Sequence, residues 1–275
     1  MSWLARRARS VRPWVRVLIV LAAAACGVVL LIPTNVGAAV LARHTATPTP
    51  SAAPATSDAS KAFGGVAAVG ALFTMSDGKL GTHFCTASVV QSTHGNLAVT
   101  AAHCLAGNPG QLVFVPGYDN GKKPYGSWPV TAVYTNQAWQ SSQDPDDDVA
   151  FLRLSDSPAG VPIQHVTGAE RLGTASGKTT LVQVIGYPND ADQPVTCTNW
   201  AKIFSATQLE FDCDNYTDGT SGGPFLTSVS RATGQGTIIG LIGGYEQGGN
   251  TPDVSYAPAF GAAVTALYHT AEAGN

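Results

Sequence analysis

Short apolar segments separated by turn residues run through most of this 275-residue chain. The segments are rich in Val, Ile, Leu and Thr, and turn sequences lie between them, such as Asn-Pro-Gly at residues 108–110 and Asp-Asn-Gly at 119–121. Runs of this kind are typical of β-strands. A composition with 30 glycines and only 12% charged residues suits many short strands joined by tight turns and disfavours a long-helix protein.

The spacing of these segments predicts an all-β fold. The eleven predicted strands are Ala67–Thr74, Cys85–Val90, Leu97–Ala101, Leu112–Val115, Val130–Tyr134, Val149–Leu154, Thr179–Ile185, Thr196–Phe204, Gln208–Phe211, Phe225–Val229 and Thr237–Ile242. Only Pro258–Ala271 repeats apolar residues at helical spacing. We therefore expect antiparallel β-barrels followed by one C-terminal helix.

The first 62 residues differ in composition from the rest. Five arginines within residues 1–16 precede an uninterrupted apolar run, Val17–Ile32, which is the order of a secretory signal. Because that run is close to the length that crosses a bilayer, we expect residues 1–42 to be a signal peptide or an uncleaved signal anchor. Residues 43–62, dominated by Ala, Thr, Pro and Ser, are expected to be a linker or propeptide. The folded domain, residues 63–275, would then be extracellular or tethered to the outer face of the cytoplasmic membrane.

The charges are unevenly distributed along the chain. Six arginines precede residue 44 and every acidic residue follows it, so the remainder holds nine basic against 18 acidic residues. Phosphate contacts need clustered Lys or Arg, so this composition argues against nucleic-acid binding. Contact with a membrane is expected only through an uncleaved N-terminal segment.

A serine with glycines on both sides is the first candidate for chemistry. Ser221 lies in the sequence Gly-Thr-Ser-Gly-Gly-Pro at residues 219–224. Because glycine adopts backbone conformations closed to other residues, the amides of Gly219 and Ser221 can turn toward one point beside the hydroxyl. Two such N–H donors would form an oxyanion hole.

A histidine and an aspartate precede this serine in comparable settings. His103 ends an apolar segment in Thr-Ala-Ala-His-Cys, and the next cysteine would fix it to the framework, as a general base requires. Asp148 opens the apolar segment Asp-Val-Ala-Phe-Leu, so a buried strand would hold its carboxylate. Its expected task is to accept a hydrogen bond from the histidine Nδ1 and fix the tautomer.

These three motifs, in this order, resemble those of the chymotrypsin-like (trypsin-like) serine peptidases, with a likeness to the secreted bacterial branch. The resemblance spans residues 66–271 and implies two six-stranded antiparallel β-barrels with the active site in the cleft between them. It also implies a serine endopeptidase that cleaves polypeptides through an acyl-enzyme intermediate and needs no cofactor. In that scheme His103 is the general acid and base, Asp148 orients it and Ser221 attacks, with Gly219 and Ser221 as oxyanion donors.

Four cysteines of the predicted domain support this interpretation. Cys85 and Cys104 flank two adjacent predicted strands, and Cys197 and Cys213 flank another pair. Of the three possible connectivities, only Cys85–Cys104 with Cys197–Cys213 closes two local loops. Two disulfides imply an oxidising compartment, in agreement with the export signal.

Two positions depart from the family pattern. Thr220 occupies the place of the Asp that receives the freed N-terminus of trypsin on activation, so that latch is absent and any maturation would remove the segment before Phe63. Gly-Gly-Tyr at residues 243–245 replaces the usual Ser-Trp-Gly of the substrate channel, so residue preference does not carry over. The pocket is expected within residues 215–218 and 243–246, and its candidate residues are Asn215, Asp218, Gly243, Gly244 and Tyr245.

Two other functions are compatible with parts of the sequence. The Gly-x-Ser-x-Gly of residues 219–223 also occurs in α/β-hydrolase esterases, and Asp253 and His269 follow in that family's order. However, Gly222-Gly223-Pro224 would block the helix that must follow such a serine. Outside enzymology, the chain could be a catalytically idle member of the peptidase fold that acts as a binding module at the cell surface.

No metal site is predicted. Asp144, Asp146 and Asp147 compete with Asp148, and alternate carboxylates suit calcium, but Val149 stands where an EF-hand loop requires glycine. Five histidines lie outside the motif without zinc-like spacing and are expected to be structural or exposed: His44, His83, His94, His165 and His269. We expect a monomer whose partner is a polypeptide substrate.

Overall fold

The computed structural model describes residues 58–106 and 111–274. The predicted signal segment, residues 1–42, lies outside these ranges, as does the predicted linker up to residue 57. Among the described residues, no helix has the length and apolar character needed to cross a membrane.

Strands dominate the described part of the chain. In chain order they are β1 (Asp58–Ala59), β2 (Lys61–Ala62), β3 (Val69–Ser76), β4 (Lys79–Val90), β5 (Leu97–Thr100), β6 (Gln111–Pro116), β7 (Trp128–Thr135), β8 (Ala150–Leu154), β9 (Arg171–Leu172), β10 (Thr180–Gly186), β11 (Val195–Ile203), β12 (Gln208–Asp214), β13 (Pro224–Thr227), β14 (Thr237–Leu241) and β15 (Val254–Pro258). The helices are α1 (Gln137–Ser142), α2 (Ile163–Thr167) and α3 (Ala262–Ala273), and 3₁₀ turns cover Ala102–Leu105, Pro145–Asp147 and Tyr245–Gly248.

The first six long strands close into a barrel in the order β3-β4-β5-β8-β7-β6. Strand β5 is buried at all four positions, as expected of a central strand with apolar residues on both faces. The core is built from side chains such as Leu72, Phe114 and Phe151, and it continues into Tyr187 and Leu226 of the second half. One apolar cluster therefore joins the two halves of the domain.

The remaining strands form a curled half-barrel sheet with the path β1-β12-β11-β10-β13-β14-β9, with β15 beside β12 and β2 beside β11. Its own core includes Val184, Phe211 and Phe225. The all-β class, the closed first barrel and the C-terminal helix are confirmed. The second half differs from a closed six-stranded barrel because its path ends at two-residue strands that do not pair with each other.

Several short elements were not predicted. Strand β15 lies directly before the predicted helix, and its five residues include a proline, so no apolar run marked it. Helix α3 begins at Ala262 instead of 258 because β15 continues through Pro258 and Gly261 precedes the first turn. Strands β1 and β2 extend into the predicted linker, where Asp58 pairs with Cys213 and Lys61 with Thr196.

Candidate active site

Two adjacent strands of the barrel bring His103 and Asp148 together. Strands β5 and β8 are antiparallel, with Thr100 opposite Ala150. The chain therefore leaves β5 for the 3₁₀ turn that carries His103 at the same end at which it enters β8 after Asp148. Residues 45 positions apart in sequence meet through one strand pair.

Asp148 is fully buried and accepts three hydrogen bonds. Its Oδ2 lies 2.7 Å from Nδ1 of His103 and accepts from the Gly244 N–H at 2.8 Å, while Oδ1 accepts from the His103 N–H at 2.8 Å. Because an ionised carboxylate only accepts, Nδ1 carries the hydrogen and Nε2 of the neutral ring is left as a proton acceptor. This is the tautomer that a general base needs.

Gly243 makes room for this carboxylate. A Cβ at position 243 would lie 2.9 Å from Asp148 Oδ2, closer than ordinary side-chain packing allows. Both glycines therefore help to place the Asp148 carboxylate, Gly243 by leaving space and Gly244 by donating its N–H.

Both predicted disulfides are confirmed. Cys85 is bonded to Cys104, which ties strand β4 to the turn that carries His103, and Cys197 is bonded to Cys213 between β11 and β12. The first bond fixes the residue that follows His103, and Asp148 holds the backbone N–H and the ring of His103 itself.

Ser221 lies in a loop whose shape depends on glycine. Gly219 and Gly222 have φ values of 94° and 82°, a region that side chains rarely adopt. Space is limiting as well, since a Cβ on Gly219 would meet Asn189 N and one on Gly222 would overlap the Thr86 carbonyl oxygen. Both glycines are thus required by conformation and by close approach.

The two predicted oxyanion donors are oriented by the carbonyls that precede them. The Asp218 carbonyl accepts from Asn189 N at 2.8 Å. In a trans peptide the C=O and N–H point in opposite directions, so the Gly219 N–H points away from Asn189. The Ser221 N–H is oriented in the same way, because the carbonyl before it accepts from Gly223 N at 2.9 Å. Within the described residues neither N–H has an acceptor.

His103, Gly219 and Ser221 line one cleft of about 380 Å³. A second cavity of about 450 Å³ adjoins it, and Asp218 and Ser221 line both. The structure thus brings the candidate base, nucleophile and oxyanion donors to one cleft, with Asp148 buried behind the base.

A family model described as Trypsin matches residues 63–265. The chain belongs to the trypsin family. Its fold is that of a trypsin-like protease, and the solved structures it resembles agree. Protease Anisep from Arthrobacter nicotinovorans is 26% identical with a TM-score of 0.66, and the match covers 78% of this chain and 99% of that one.

Two further solved structures share this fold. A thermostable serine protease, AL20, from an extremophilic microorganism is 26% identical with a TM-score of 0.64, over 76% of this chain and 99% of that one. A Glu endopeptidase matches at 15% identity and a TM-score of 0.60, over 79% and 98%. At that identity the likeness concerns the fold alone.

A curated relative carries a different description. It is an extracellular metalloprotease of Bacillus subtilis (strain 168), 28% identical over 163 residues, which are 57% of this chain and 50% of that protein. The chain thus spans about half the length of this relative. The one group of three potential metal ligands among the described residues is Cys85, His103 and Cys104, and its two thiols are consumed in a disulfide.

The predicted pocket residues of this trypsin-family chain do not all meet at the second cavity. Asp218 lines it, whereas Asn215 is exposed with a φ of 69° and does not line it. Gly243 and Gly244 contact Asp148 instead, and Tyr245 packs against Phe204 and Tyr256 on the surface.

Tyr216 and Thr217, which lie within the predicted range 215–218, also line this cavity. Its other lining residues lie outside the predicted ranges: Asn189, Asp190, Thr220, Ile242 and the run from Gln247 to Pro252. The Gly-Gly-Asn sequence at 248–250 marks a loop in the sequence, but nothing in its composition indicates which cavity that loop lines.

The competing acids have structural partners. The side chain of Asp144 accepts from the Asp146 N–H, Asp146 accepts from Gln208 Nε2 at 2.7 Å, and Asp147 accepts from Asn136. These contacts hold the turn before β8 in place. Of the run of acids, Asp148 is the one that contacts His103.

The residues of the esterase alternative do not form a site of that fold. His269 lies on α3 beside Tyr268. The sheets are antiparallel along almost their whole extent, whereas an α/β-hydrolase needs a mainly parallel sheet. The fold therefore excludes this alternative.

Proposed function

We propose that the protein is a serine endopeptidase whose nucleophile is Ser221. The observation that carries the proposal is the buried Asp148 bonded at 2.7 Å to Nδ1 of His103, with that histidine lining the same cleft as Ser221. A serine hydroxyl is a weak nucleophile until an adjacent base accepts its proton. The arrangement supplies such a base in the required tautomer.

The reaction follows from these positions. The Ser221 hydroxyl oxygen attacks the scissile carbonyl while Nε2 of His103 takes the proton. The carbonyl oxygen becomes an oxyanion and accepts from the Gly219 and Ser221 N–H groups. His103 then gives its proton to the leaving amine, and a water molecule repeats the sequence to release the acyl group. Asp148 remains ionised and stabilises the imidazolium between the two proton transfers.

We also propose that the protein works outside the cytoplasm. The support is the predicted signal segment together with two disulfides, because such bonds persist in oxidising compartments. Polypeptides are the proposed substrates, and hydrolysis at internal bonds fits an open cleft between two β units.

The test is covalent labelling with a fluorophosphonate, followed by peptide mapping. We expect modification at Ser221 in the wild-type protein and none in S221A, with cleavage of a peptide library by the wild type alone. A chelator should leave this cleavage unchanged. Unlabelled protein that cuts peptides only with added metal ion would favour a metalloprotease, and correctly oxidised protein without labelling or cleavage would favour the idle binding module.

A further inference from the structure

One residue of the closed barrel holds the loop that carries Ser221. Thr86 lies on β4, next to Cys85, and is fully buried. Its N–H donates to the Ser221 carbonyl at 2.7 Å, and its hydroxyl donates to the Gly219 carbonyl at 3.0 Å. Of the three backbone carbonyls of residues 219–221, two therefore accept hydrogen bonds from Thr86.

The hydroxyl of Thr86 is also an acceptor. The Tyr187 N–H donates to it at 2.9 Å, so its own hydrogen is left to point at the Gly219 carbonyl. Tyr187 lies two residues before Asn189, whose N–H holds the Asp218 carbonyl. One hydroxyl therefore links the nucleophile loop to the segment that orients the peptide before Gly219.

The backbone of Thr86 is in turn held from behind. Its carbonyl accepts from the Thr100 hydroxyl at 2.7 Å, and Gly222 packs so closely on that carbonyl that no side chain fits between them. Thr100 is the last residue of β5, the strand that leads to His103. The Thr86 carbonyl thus contacts both the nucleophile loop, through Gly222, and strand β5, which leads to His103.

We propose that Thr86 is a positioning residue for the oxyanion donors, a proposal that rests on the proposed function. Gly219 has no side chain to restrict it, and the peptide on either side can rotate at low cost. The Thr86 hydroxyl fixes the peptide after Gly219 and steadies the one before it through Tyr187. Without this hydroxyl, the Gly219 N–H would spend less time directed into the cleft.

The experiment compares T86V with wild type, with S88A as the matched control. Ser88 lies two residues further along the same strand and is equally buried, and its hydroxyl has no hydrogen-bond partner among the residues that the structure describes. Loss of one oxyanion donor costs about 10²- to 10³-fold in kcat, so loss of its positioning should cost about 10- to 100-fold. We expect T86V to lower kcat by that factor with KM within about threefold, and S88A to match wild type.

Affinity for a peptide aldehyde gives a second measurement, because the tetrahedral adduct uses the oxyanion donors and the substrate ground state uses them less. T86V should lower the affinity for the aldehyde by about the same factor as it lowers kcat. Should T86V fold poorly, T86S and T86A remove the same methyl group and differ only in the hydroxyl. T86S should then keep kcat within about threefold of wild type while T86A loses it.

Amide hydrogen exchange separates this proposal from the proposed function. Exchange at the Gly222 and Gly223 N–H groups should quicken at least about tenfold in T86V and in T86A, and stay unchanged in T86S and S88A. This readout needs no activity, so it tests Thr86 even if Ser221 is never labelled. Unchanged exchange with unchanged kcat in T86V would overturn the proposal, as would an equal loss of kcat in S88A.

Discussion

The closed barrel and the half-barrel sheet position functional groups in different ways. The barrel supplies His103 and Asp148 from neighbouring strand ends, where one antiparallel pairing sets their distance. The sheet supplies the nucleophile loop and the adjoining cavity from loops, and many residues there have positive φ, including Gly219, Gly222 and Gln247. Strand pairing therefore brings the acid and base together, with the Gly244 N–H of the second half as a further partner of Asp148, whereas the nucleophile loop depends on contacts from the barrel.

The largest expected effect comes from substituting Asp148, the acid that the barrel supplies. In D148N one carboxylate oxygen becomes an NH₂ group facing N–H donors, so the Nδ1 tautomer of His103 is lost. We expect kcat to fall about 10³- to 10⁴-fold, measured on a peptide substrate. D144N, in the same run of acids, should stay within about threefold of wild type. An equal loss in D144N would mean that the wrong acid had been assigned.

The two disulfides allow the halves to be weakened separately. Their sequence separations are 19 and 16 residues, so removing either should lower the free energy of unfolding by about 3 kcal/mol. The kinetic effects should differ: C85A/C104A frees the turn of His103 and should mainly lower kcat, while C197A/C213A loosens β11 and β12 and should mainly raise KM. Urea unfolding and steady-state kinetics measure both. The same kinetic change in both double variants would contradict this division of roles.

Glu170 lies where the two halves join, and it should make the free energy of unfolding depend on pH. Its backbone bonds to Val89 and Gln91 of the barrel end, and its carboxylate accepts from the Gly236 N–H beside β14. Burial raises the pKa of Glu170 to about 7, against the opposing effects of the Gly236 N–H and Arg171.

The folded state thus favours the protonated form of Glu170. Its contribution to stability is complete below pH 4.5 and is lost as pH rises through 7, a fall of up to about 3 kcal/mol. E170Q should abolish this slope in unfolding free energy, whereas E272Q, at a side chain bonded near the surface to Thr93, should keep it. A wild-type protein that gains stability between pH 5 and 7.5 relative to E170Q would refute the assignment.

The smallest effect concerns the cavity of the half-barrel sheet. Asn215 is exposed and away from the cavity, whereas Asn250 lines it. N215A should therefore change kcat/KM by less than about twofold for every peptide, and N250A should alter the preference among residues at the cleavage site by about threefold or more. Peptide-library profiling by mass spectrometry makes the comparison. A larger change of preference in N215A than in N250A would mean that Asn215 does belong to the substrate pocket.

The sequence was informative where chemistry and strand pattern coincide. His103, Asp148 and Ser221 each lie beside an apolar segment or a glycine run, so their residue type and their fixation were both visible before the fold was known. The disulfides were predictable because each closes a local loop.

The cavity was less predictable because its lining comes from loops. Its wall from Gln247 to Pro252 depends on how the chain turns after Tyr245, where Glu246 and Gln247 both have positive φ. Such conformations are imposed by tertiary contacts and not by residue preference. Thr86 escaped notice for a similar reason: a threonine in a strand looks ordinary until its partners, more than 100 residues away, are known.

The paired segment at 58–62 bears on where the folded domain begins. These residues are edge partners for β11 and β12, and the second of those strands leads directly into Tyr216 of the cavity wall. A chain that begins at Asp58 would keep that edge covered, whereas a chain that begins at Phe63 would expose the backbone groups of β11 and β12 that residues 58–62 pair with. The paired edge next to Tyr216 would therefore be complete only in a chain that keeps residues 58–62.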